Sequence, residues 1–118
     1  MNDARVSKRL AMLDKAIAAG SNDPFVFYAR ALELRGLDEP ESALAALAEV
    51  EQRFPDYVPT YLMAGQVAQT LERVAEARGY LQRGLALATR VRDEHARSEL
   101  QQALDGLDGG LDGRLDGG

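Results

Sequence analysis

Displacing the chain against itself by 34 residues superposes two copies of one apolar pattern. Phe27 falls on Tyr61, Ala31 on Gly65, Leu34 on Ala68, Leu37 on Leu71, Ala43 on Ala77 and Leu47 on Leu81. Small and large residues held at fixed offsets over this interval are the signature of stacked helix hairpins. One hairpin has no means of burying its apolar face by itself, so neighbours stack into a continuous core. The fold class this dictates is all-α, antiparallel hairpins in a solenoid. Stacked hairpins leave a long concave wall, which suits the holding of another polypeptide more than chemistry.

Local signals divide the chain into about six helices. Val6, Leu10, Leu13, Ala16 and Ile17 recur at helical spacing from about Ala4 to Ala19, with Met12 beside them, and Gly20 is suited to close that helix in the left-handed region. Asp23 followed by Pro24 reads as an N-cap and first helical residue, starting a second helix that stops near Gly36. A third helix is expected from Pro40 to about Arg53, broken by Phe54-Pro55-Asp56. The fourth runs from near Tyr57 to near Leu71, with Pro59 in its first turn, and the fifth from Val74 to Arg90. Ala96, Leu100, Ala103, Leu104 and Leu107 form the stripe of a sixth amphipathic helix from near Asp93, although no glycine or proline marks its separation from the fifth. Beyond residue 104 the repeated Leu-Asp-Gly units read as a flexible tail, since glycine at that density loses much backbone entropy on ordering.

Bulk composition narrows the function classes. The 118 residues suffice for one domain, and 46% apolar content is ordinary for a globular chain. A net charge of -5 argues against sequence-independent nucleic-acid binding, which needs a basic surface to neutralise phosphates. Without cysteine there is neither disulfide nor thiolate chemistry. No apolar run is long enough for a bilayer, so the expectation is a cytoplasmic protein without membrane or cofactor.

The residues at the diagnostic offsets resemble the tetratricopeptide repeat family. Its large, small, small, large and proline places fall on Phe27, Ala31, Ala43, Leu47 and Pro55 in the first copy, and on Tyr61, Gly65, Ala77, Leu81 and Thr89 in the second. Leu34 adds to the packing set. Small residues let the two helices of a hairpin approach, and large ones fill the space beside them. The resemblance implies a right-handed α-solenoid over residues 1–104: a half repeat at 4–23, repeats at 24–57 and 58–91, and a capping helix at 92–104, leaving 105–118 as the tail. It is closest in kind to the small stand-alone bacterial members. Tryptophan is absent, Arg30 stands where leucine is usual, and Glu99 occupies the small-residue place of a third repeat.

In this family the first helix of each repeat lines the concave wall. The resemblance therefore implies a peptide-binding groove of Phe25, Tyr28, Ala29, Leu32 and Arg35 from the first copy, with Gly36 after them. Pro59, Leu62, Met63, Gln66 and Gln69 come from the second, followed by Thr70. The second helix is apolar nearly all round, so a second surface must cover it. The expected occupant is the apolar segment of a partner protein or peptide; the alternative is a self-associating scaffold whose groove is filled by its own chain or another copy. Tyr28, Leu32 and Met63 stand where one branch of the family clamps chaperone carboxylates with lysine and asparagine, which excludes that role.

Charge is uneven. Glu33, Asp38, Glu39, Glu41, Glu49, Glu51 and Asp56 outnumber Arg30, Arg35 and Arg53 in the first copy, whereas in the helices that follow Arg73, Arg78, Arg83, Arg90, Arg92 and Arg97 stand against Glu72, Glu76, Asp93, Glu94 and Glu99. Most are expected as solvated faces, with head-to-tail stacking of copies as the sharper alternative. His95 and Glu99 lie one helical turn apart, too few ligands for zinc. No catalytic constellation is visible.

Overall fold

The computed structural model describes the backbone of residues 2–117 and the side chains of residues 8–109. Val6, Leu111 and Leu115, part of the sequence pattern, have side chains outside that range. The described chain is all helical: α1 Asn2–Ala18, α2 Pro24–Gly36, α3 Pro40–Arg53, α4 Pro59–Thr70, α5 Val74–Arg90 and α6 Glu94–Gly117. Each helix packs chiefly on its neighbours in sequence, with α2 on α3 and α4 on α5 most extensively, and α4 also meets α6. Near-neighbour packing of this kind is what makes a solenoid.

The helix ends follow from specific side chains and turns. Asp23 Oδ1 accepts from the Phe25 N–H at 2.9 Å and caps α2, with Pro24 in its first turn. Gly20 closes α1 at φ 97°. At the ends of α2, α4 and α5 the same left-handed place is held by Asp38, Glu72 and Arg92, with φ of 61°, 61° and 62°. The next amide then reaches back: Glu39 N–H to Leu34 O at 3.1 Å, Arg73 N–H to Ala68 O at 2.9 Å and Asp93 N–H to Ala88 O at 2.9 Å. Orphan carbonyls are thereby satisfied, and the donating residue directly precedes the following helix. Hence α2 ends at Gly36 as expected, but the left-handed residue that turns the chain is Asp38, and α5 and α6 are separated by Arg92 without any glycine.

The core runs through the paired helices. Phe27, Ala31, Leu34, Ala43, Leu47, Tyr61, Gly65, Ala77 and Leu81 are all buried. Ala43 and Ala77 are at 0% exposure, so a side chain larger than methyl has no room there. A Cβ added at Gly65 would stand 2.5 Å from Leu81 Cδ2, which shows how closely α4 approaches α5.

On the sequence reading the repeat domain ends at residue 104 and a tail begins at 105. α6 continues to Gly117, and Leu107 is as buried as Leu104. Leu100, Leu104 and Leu107 share one helix face against α5, and Arg78 pairs with Asp108. Burying that leucine stripe offsets the entropy lost by Gly106.

Candidate functional site

Three helices that hold corresponding places in the stack meet around one pocket of about 290 Å3. Tyr28 enters from α2, Pro59, Leu62 and Met63 from α4, and Val58 from just before it. α6 supplies His95, Ala96, Glu99 and Leu100, and Asp93 stands at its start. Tyr28, Leu62 and Ala96 are successive steps of the 34-residue period, so they form a row running across the wall. Side-chain size falls along that row, and the hollow opens toward α6.

The α2 side is stiffened by aromatic contact. The Tyr28 and Tyr57 rings meet edge to face with centroids 5.6 Å apart. Burial pushes the Tyr28 hydroxyl above its ordinary range, the neighbouring Tyr57 adds to this, and Arg35 opposes it. Tyr28 is thus a neutral phenol at physiological pH, able to donate one hydrogen bond into an otherwise apolar hollow. Arg35 donates from Nη1 to Met63 Sδ at 2.9 Å, which fixes a flexible thioether at the pocket edge.

The α6 side is acidic. Asp93 Oδ1 accepts from the Ala96 N–H at 3.0 Å and caps the helix. Glu99 Oε1 lies 3.3 Å from His95 Nε2, and the histidine side chain is 87% exposed. Among the described residues no three His, Cys, Asp or Glu side chains gather into a possible metal site. The pair is an exposed lip.

Of the ten groove residues expected from sequence, Tyr28, Pro59, Leu62 and Met63 line the pocket, and Arg35 touches it through Met63. Phe25, Ala29, Leu32, Gln66 and Gln69 do not line it. Phe25 is 57% exposed, and Leu32 is half-buried. Sequence reasoning allowed the chain itself to cover this wall but named neither Val58 nor the α6 residues. The same displacement that relates Tyr28 to Leu62 would have found Ala96, had α6 not been treated as a mere cap because of Glu99.

The charge asymmetry is spent inside the molecule. Glu51 accepts two bonds from Arg83, at 2.7 and 3.0 Å, Asp56 meets Arg90 at 3.0 Å, and Glu41 lies 3.7 Å from Arg73. The hydrogen bond to Glu51 raises the Arg83 pKa further. Three acids of the first repeat thus meet arginines of the second, so part of the charge that head-to-tail stacking would use is already partnered. Each such exposed pair contributes only about 0–1 kcal/mol, but together they fix the register of the two repeats.

A stack of hairpins with an apolar hollow on its inner wall defines a class of polypeptide-holding helical repeats. The chain is 34% identical to a tetratricopeptide repeat domain protein from Salinibacter ruber, over 75% of its own length. The solution structure of that protein matches with a TM-score of 0.71 over 89% of its chain, and the crystal structure with 0.70 over 98%. A Bordetella parapertussis protein shares the fold at 23% identity, with a TM-score of 0.73 over 84% of this chain and 86% of the other. No protein-family model matches the sequence, and no curated protein does. The chain belongs to the tetratricopeptide repeat family. Proteins of this family are typically non-catalytic, and the fold generally serves protein interaction. Among the described residues no helix is long and apolar enough to cross a membrane.

Proposed function

We propose that this protein is a non-catalytic adaptor that takes an apolar peptide or one face of an amphipathic helix into its concave wall. The observation that carries this reading is the hollow bounded by Tyr28, Leu62 and Met63, apolar at its base and open to solvent. At about 290 Å3 it lies at the small end of ligand pockets, sized for bulky side chains rather than a whole small molecule. Full burial of each such side chain is worth about 1.5–3 kcal/mol. Ordering of the peptide offsets much of that, which leaves dissociation constants on the order of micromolar. Exposed Phe25 extends the apolar surface beyond the pocket along α2.

Selection from a displayed library of amphipathic peptides, followed by titration of the winners, tests the reading. Winners should bind wild type, and Leu62→Glu should weaken them at least about tenfold, as truncation of a buried anchor does, with the helical circular dichroism retained. Tyr28→Ala should act in the same direction. A library that yields no binder, or winners indifferent to both substitutions, would remove this function.

A further inference from the structure

The pocket is apolar within, yet its two edges carry opposite charge. Asp93 and Glu99 stand on the α6 lip, and Glu99 is about half exposed, so its carboxylate is available to solvent and to a ligand. His95 beside it is the only other titratable group on that lip, and the sole cation at the opposite edge is Arg35, held against Met63. Of the charges nearby, Glu94 pairs with Arg97 at 3.0 Å and Glu33 with Arg9 at 3.0 Å, while exposed Arg92 precedes Asp93 outside the pocket lining. The lip that lines the pocket thus carries two carboxylates, Asp93 capping α6 and Glu99 beside His95, in a chain whose net charge is already -5.

We propose that the occupant is a peptide segment in which a bulky apolar anchor is accompanied by lysine or arginine, oriented with the cation against Glu99 and Asp93 on α6. This rests on the reading of the pocket as a peptide site and adds the polarity of the ligand to it. A complementary rim charge contributes little affinity, but it selects among partners and fixes the direction in which the segment lies. An acidic segment with the same anchor meets two carboxylates at close range and is rejected.

Three dye-labelled amphipathic peptides with identical leucine anchors, flanked by lysine, glutamine or glutamate, test this by fluorescence anisotropy. At low salt the lysine peptide should bind about tenfold more tightly than the glutamate peptide, with glutamine between, and high salt should compress the difference. Glu99→Gln should narrow the preference, whereas Glu76→Gln, which removes the same charge from exposed α5 surface, should leave it intact. Equal binding of all three peptides overturns the polarity while the apolar site stands. A preference equally sensitive to Glu76→Gln and Glu99→Gln also overturns it, because net charge alone then explains the order. Failure of every peptide to bind removes the site and this inference with it.

Discussion

The two repeats share a register and differ in how their helices meet. In the first, α2 and α3 are separated by side chains: Val50 is wholly buried, and Phe27 stacks on Phe54 with centroids 5.4 Å apart. In the second, the place of Val50 is taken by Gly84, and a Cβ there would stand 2.4 Å from Tyr61 Cβ and 3.0 Å from Leu100 Cδ2. Glycine lets α4 and α6 both close onto α5, which brings Leu100 to the pocket base. The helices also end differently. Pro55 follows Phe54, which at φ -134° and ψ 69° has left the helical region disfavoured before proline, and α3 has 14 residues. Its counterpart is Thr89, and α5 runs to 17 residues before Arg92 turns the chain into α6. The first repeat is a spaced hairpin ended by proline. The second is a tighter and longer one, shaped to receive α6 and with it the acidic lip.

Exchanging second-repeat residues for their first-repeat counterparts breaks this contrast one contact at a time. Gly84→Val should have the largest effect. Three added carbons meet the stem of Tyr61 rather than a flexible tip, so α4 or α6 must move. The expected loss is about 3 kcal/mol, the upper end of ordinary overpacking, seen as a drop of roughly 10–20 °C in thermal unfolding. A variant as stable as wild type would show that the tight approach is dispensable. Thr89→Pro comes next. Proline there removes an amide from the last turn of α5 and crowds the Leu85 carbonyl, at a cost of about 3 kcal/mol. Because the turn at residues 85–89, whose carbonyls anchor the cap leading into α6, would be disrupted, exchange protection of α6 amides should fall more than that of α2 and α3.

How much of this the sequence disclosed depended on whether the signal was local or mutual. Asp23-Pro24, Pro40 and Pro55 act on their own backbone, and the helix boundaries they imply coincide with those of α2 and α3. The apolar period placed nine packing residues because each lies on the face its spacing dictates. Gly84 escaped notice, although its displacement onto Val50 was visible, because a glycine within a helix declares a close approach only once the partner is known. The length of α6 was missed for a related reason. Glycine density is a cost read from the chain alone, whereas the burial of Leu107 that offsets it depends on the face of α5. Half of the wall was legible by register, and the α6 half required knowing that Glu99 sits at a rim, where a carboxylate is tolerated.

Tyr61→Phe probes a smaller difference. The Tyr61 hydroxyl donates to the Pro55 carbonyl at 2.5 Å, tying α4 to the turn that ends the first repeat. Its counterpart Phe27 has no such group, and is covered instead by Arg53, whose guanidinium lies 4.9 Å from the ring centroid. Removing the hydroxyl should cost about 1.5 kcal/mol, the upper range for one hydrogen bond, measurable as a lower denaturant midpoint at unchanged slope. If the slope changes as well, the bond organises more than its own turn.

The last exchange should stabilise. Thr60 is wholly buried, and its hydroxyl is the one buried side-chain polar atom among the described residues without a hydrogen-bond partner. The corresponding residue of the first repeat is Val26. Valine and threonine have nearly the same shape and similar helix propensity, so Thr60→Val changes little except the desolvated oxygen. Its removal should raise stability by about 1 kcal/mol, read as a higher denaturant midpoint. Burial in the second repeat is so complete that no solvent reaches the oxygen at 0% exposure, and relief should follow without repacking. A neutral or destabilising result would mean that the hydroxyl finds a partner through motion of the first turn of α4, the turn that carries Pro59 and Leu62 to the pocket.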